Sequence, residues 1–122
     1  MLYYGTGSEN HDLTEEDLRT GLHTALDKLG RKQKVMVVPP DITRIHSGSG
    51  QLTRYAWQYY GDCLTGIMPA LGTHVPMSTD EISRMFTGVP ASLFKEHDWR
   101  NNVTIVGKVP SSLISLTVHH PL

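Results

Sequence analysis

The chain has 122 residues, one domain's worth, of which 39% are hydrophobic and 19% charged, with a formal net charge of -1. That composition fits an ordinary folded protein, and the near-zero charge excludes a global field that would favour nucleic acid or an anionic membrane. The lone cysteine, Cys63, excludes an intrachain disulfide and a CxxC site, and reads as a passive thiol suited to a reducing compartment.

The N-terminus carries neither a basic n-region nor an apolar h-region, and no apolar run approaches the roughly 20 residues of a membrane span. Cytoplasm is the expected location. Leu2-Tyr3-Tyr4 reads as a short strand ended by Gly5-Thr6-Gly7-Ser8. Thr14 then N-caps a helix with acids in its first turn and an apolar stripe through Leu18, Leu22, Ala25, Leu26 and Leu29. Gly30 stops it, and His23, off the stripe, is expected at the surface.

Lys34 to Val38 reads as a buried parallel strand stopped by Pro39-Pro40. Ser47-Gly48-Ser49-Gly50 leads into a helix over about 51–60, whose Tyr55, Trp57, Tyr59 and Tyr60 are expected to pack rather than stack on bases. The Ser-Gly run is a weak phosphate-loop signal, because it lacks the P-loop ending and the dinucleotide glycine spacing. A strand follows at about 66–71. Ser78-Thr79-Asp80-Glu81 is a capping box opening a helix to about Phe86. Pro90 starts a short turn, and Val103-Thr104-Ile105-Val106 reads as a further strand. The order β-α-β-α-β-α-β predicts an α/β fold, a mostly parallel sheet with helices on its faces. Residues 111–122 read as an irregular tail, and the His119-His120 pair as part of a frayed end.

Two polar motifs follow predicted strand ends, where open α/β sheets place their ligands: Asp41-Ile42-Thr43-Arg44 and Gly72-Thr73-His74. Arg44 suits a carboxylate or phosphate through paired hydrogen bonds. Asp41 suits an Asx-turn, an orienting role toward Arg44, or ribose hydroxyls. His74 suits proton exchange near neutral pH, with Thr73 fixing the ring or donating to a ligand. His46 is a reserve acid/base. His97-Asp98 is expected to serve a loop, since sequence neighbours rarely present both side chains to one point. Arg44 and His74 are expected to face one shared cavity.

On these two motifs the chain resembles the N-terminal domain of the nickel-pincer-dependent lactate racemase family, the LarA-type racemases and epimerases. The D-x-T-R and G-x-H elements, the Pro-Met-Ser-Thr-Asp-Glu-Ile run and His97-Asp98 carry the likeness over 39–110. The resemblance implies an incomplete N-terminal domain, residues 1–110, of a two-domain enzyme. It implies a nickel-pincer mononucleotide (pyridinium-3,5-dithiocarboxylate mononucleotide nickel) and hydride removal and return at the α-carbon of a 2-hydroxy acid or sugar acid.

Carried over, Asp41, Ile42, Thr43 and Arg44 contact the cofactor, Arg44 also pairs with the substrate carboxylate, and His74 is one general acid/base. The family's second catalytic histidine, cofactor-tethering lysine and nickel-ligating histidine have no counterpart here, so no metal ligand is assigned. Ile42 stands where characterised racemases tend to have His, which leaves lactate itself open as substrate. The expectation is a half-site, inactive alone, in a chain whose incomplete sheet favours homo-oligomers and whose partners include neither nucleic acid nor membrane. The alternative is a non-catalytic α/β module binding a nucleotide or organic anion.

Overall fold

The computed structural model describes residues 1–72 and 74–112, so Thr73 and the end of the tail, with His119-His120, lie outside the described residues. Three helices and a short parallel sheet make up the fold: α1 (Glu15–Leu29), β1 (Val35–Val37), α2 (Ser49–Tyr60), β2 (Leu64–Ile67) and α3 (Thr79–Met85). The fold is α/β. Single 3-10 turns occupy Gly61–Cys63 and Ala91–Leu93, and Ile42–Ser47 is a longer 3-10 segment kinked at Arg44.

The helix signals act as the sequence suggests. Thr14 and Asp17 form a reciprocal capping box at the start of α1, and Ser78 and Glu81 form another at α3. Gly30 ends α1 at φ 72°, a conformation that favours glycine. Gly50, at the start of α2, lies so close to α3 that an added Cβ would stand 1.9 Å from the Met85 carbonyl oxygen. The Ser-Gly run therefore includes a packing contact between two helices.

The sheet is thinner than the expected one. Val35 pairs with Leu64, Met36 with Gly66 and Val37 with Ile67, with an irregularity after the first pair. Beyond the strands, Met68 N–H donates to Val37 O (2.9 Å) and Ala70 N–H to Pro39 O (2.7 Å), so pairing continues to Pro40 and Ala70. On the other side of β2, Lys95 N–H donates to Ile67 O (2.8 Å), giving 94–95 the place of a third strand. β2 is thus central, and its Leu64 and Ile67 are fully buried. Ala56, Leu64 and Ile67 form a core against which Leu22, Val37, Trp57, Tyr60, Leu93 and Phe94 pack.

Several local expectations are corrected. Leu2-Tyr3-Tyr4 forms no strand; the Tyr3 carbonyl instead accepts from Lys28 Nζ at 2.7 Å. Met36 and Val38 are 54% and 55% exposed, so β1 is covered on one face only. Val103 to Val106 is not a strand, and Val106 is fully exposed, because no neighbouring strand offers it a ladder among the described residues. His23 is half-buried: its Nε2 lies 3.3 Å from the Tyr55 carbonyl oxygen and its ring packs on Tyr59. The α1–α2 interface is wider than the apolar stripe alone. Among the described residues no helix is long and apolar enough to cross a membrane.

Candidate functional site

The two parallel pairings past the strand ends start the Asp41 and His74 loops side by side. Adjacent strands stand about 4.8 Å apart. Pro40 pairs with Ala70, and each chain then turns away into its own loop. Asp41, buried at 5% exposure, caps the 3-10 turn that follows it. Its Oδ1 accepts from Thr43 N–H (3.1 Å) and from the Thr43 hydroxyl (2.5 Å). Its Oδ2 lies 2.6 Å from His74 Nδ1.

The Thr43 hydroxyl, first, and then His74 hold the Asp41 carboxyl below the ordinary carboxylate range, against the opposing effect of burial. A carboxylate has only acceptor sites. His74 Nδ1 must therefore carry the hydrogen, and in the neutral form of the ring the lone pair is on Nε2. The His74 side chain is 55% exposed, so that lone pair is within reach of a ligand. The turn holding it is closed by His74 N–H donating to Leu71 O at 2.9 Å.

Arg44 follows Asp41 by one turn, its N–H donating to Asp41 O at 3.0 Å. Its backbone leaves the helical region (φ -110°, ψ 27°) and the residue is exposed. Among the described residues its guanidinium makes no hydrogen bond or ion pair. Asp41 therefore orients His74 and not Arg44. Ile42 is half-buried in the same turn, and His46, the reserve acid/base, is exposed on it.

Downstream, α2 begins at Gly48 (φ 75°), which has no side chain to cap it, and the first amide of the helix, Ser49 N–H, donates to the Ser47 hydroxyl at 3.3 Å. A small cavity of about 140 Å³ adjoins the edge, lined by Leu71, Pro76, Phe94, Lys95 and His97. Neither Arg44 nor His74 lines it, so the expected shared cavity is not this one.

Sequence reasoning missed the role of His97. Its Nδ1 accepts from Leu71 N–H at 3.2 Å, across 26 residues. No spacing signals that contact; it follows from the pairing of 94–95 with β2. Asp98, by contrast, turns into its own loop and accepts from Asn101 and Asn102.

No family model matches the chain, and no curated protein matches it. Among solved structures the chain is similar to the crystal structure of a structural-genomics target from Thermotoga maritima. The two share 28% identity and a TM-score of 0.62 over 85% of this chain and 26% of that one. The chain thus spans about a quarter of that protein's length, and the likeness supports the α/β fold.

Proposed function

We propose that this chain supplies half of the site of a 2-hydroxy-acid racemase or epimerase of the nickel-pincer type. The observation that carries the reading is the 2.6 Å contact between Asp41 Oδ2 and His74 Nδ1, which joins the two motifs at one sheet edge. An imidazole with a carboxylate on Nδ1 and a free Nε2 can take a hydroxyl proton and return it. Arg44, exposed and unpaired among the described residues, is available for the substrate carboxylate, holding the acid in reacting geometry.

The fit to the pincer mononucleotide is partial. Arg44, exposed and unpaired among the described residues, suits its phosphate. Among the described residues no group of three or more His, Cys, Asp and Glu side chains could hold a metal ion. When bound, that group supplies a hydride acceptor for the α-carbon. This chain's own part is the proton at His74 Nε2 and the carboxylate grip at Arg44. Asp41, with both oxygens engaged, serves His74 rather than the nucleotide.

The test is a titration of the labelled chain with a 2-hydroxy acid and with the matching acid that lacks the hydroxyl. The hydroxy acid is expected to shift both Arg44 and His74 imidazole resonances, and the simple acid only Arg44. Arg44→Ala should weaken binding about 10- to 100-fold, the worth of a charge-assisted contact of ~1.5–3 kcal/mol. Equal effects of both acids on His74 would favour a plain anion-binding module instead. With preformed pincer mononucleotide added, the 122-residue chain is expected to give no racemisation; turnover would overturn the half-site reading.

A further inference from the structure

We propose that His97 is a positioning residue for His74, acting through the main chain of Leu71, which bonds to the His97 ring at one end and to the His74 amide at the other. His97 Nδ1 accepts from Leu71 N–H (3.2 Å), and the Leu71 carbonyl accepts from His74 N–H (2.9 Å). One residue, Leu71, therefore connects the His97 imidazole to the main-chain amide of His74. An amide nitrogen can only donate, so His97 Nδ1 carries no hydrogen and the proton of the neutral ring sits on Nε2. The two histidines adopt opposite tautomers, His74 with its hydrogen on Nδ1 and His97 on Nε2.

The contact is built from the fold rather than from a chance side-chain reach. Leu71 is buried, and its amide faces away from β1: the Met68 and Ala70 N–H groups point to the β1 side, so that of Leu71, one residue on, points to the side where the 94–95 segment pairs. A buried amide without a partner is costly, and His97 satisfies it. His97 is itself placed by the 94–95 segment on β2 and by its own turn, in which Trp99 N–H donates to its carbonyl (3.0 Å). The ring thus ties the far side of the sheet to the turn that presents His74. Its consequence for proton transfer rests on the acid/base reading above, but the geometry requires no substrate.

The experiment is nuclear magnetic resonance on the ¹⁵N-labelled chain with no ligand. A scalar coupling across the Leu71 N–H···Nδ1 His97 bond is expected in the unsubstituted protein. In His97→Ala, exchange of the Leu71 amide should rise about two- to tenfold, as expected for one net hydrogen bond. The His74 ring nitrogens should at the same time lose the single Nδ1–H pattern. His97→Asn, whose amide oxygen lies where Nδ1 does, should restore both.

An absent coupling would overturn the proposal even if His97→Ala fails to fold. So would a folded His97→Ala with an unchanged His74 tautomer, which would reduce His97 to a local loop contact. Altered His74 spectra with no hydroxy-acid effect would instead leave this proposal standing and remove the racemase reading.

Discussion

Asp41 combines three tasks in one carboxylate: cap, acceptor for Thr43, and anchor of His74. Its lowered pKa has a definite consequence for stability. A carboxyl whose folded pKa is depressed contributes stability above its unfolded pKa, about 3.9, and that contribution is lost as pH falls through the folded value. Acid unfolding is therefore expected to steepen below about pH 4. Thr43→Val removes the hydroxyl bond, the largest cause of the shift, while keeping the shape. The Asp41 carboxyl ¹³C titration should then move up toward the ordinary range, and the acid limb of stability should flatten. An unmoved titration would mean that Thr43 does not hold the carboxylate. Asp41→Ala should in addition cost about 1 kcal/mol as a lost cap, read by chemical denaturation. The sequence made Asp41, Arg44 and His74 visible because strand-end position and side-chain chemistry are both local properties. It left Asp41's partner open, since a contact across 33 residues depends on strand pairing.

At the scale of elements, the helices were legible and the sheet was only half so. Capping boxes are written in four consecutive residues: the one read at Ser78–Glu81 formed, and the Thr14 N-cap formed with Asp17 completing a second box. Strands depend on neighbours that a local pattern does not contain, which is why Val103 to Val106 has strand composition without being a strand. Gly50 shows the same limit: it reads as part of a flexible loop, whereas its lack of a side chain lets α2 approach α3. Gly50→Ala is expected to destabilise by about 1–3 kcal/mol, an overpacking cost against rigid backbone, despite the better helix propensity of alanine. A thermal melt equal to or above that of the unsubstituted chain would show that α3 gives way easily.

At the scale of the whole molecule, stability concentrates around β2. Ile67 is completely buried between α2 and the 94–95 segment, and Ile67→Ala should cost about 2–5 kcal/mol, enough to unfold a marginal domain. Ile105→Asp and Val106→Asp lie at the opposite extreme. Both side chains are at least 80% exposed, and each substitution should leave the denaturation midpoint within about 0.5 kcal/mol of the original. A larger loss would mean that this segment packs on something in solution. The α/β class followed from alternating helix and strand patterns, but sheet width did not, because the ladder is set by long-range pairing.

The prolines beyond β1 carry one more implication. Pro39 and Pro40 cannot donate, so the last registered bond, from Ala70 N–H to Pro39 O, comes from the β2 side alone. The gap between the acidic and the imidazole loops is thus set by main-chain geometry, like the spacing of two rungs, while the greasy interior sets only how firmly the frame stands. Substitutions that soften the interior should lower the melting point long before they change the pitch at which carboxylate and ring meet. A chain remodelled for heat tolerance is expected to keep the Asp41–His74 contact unchanged.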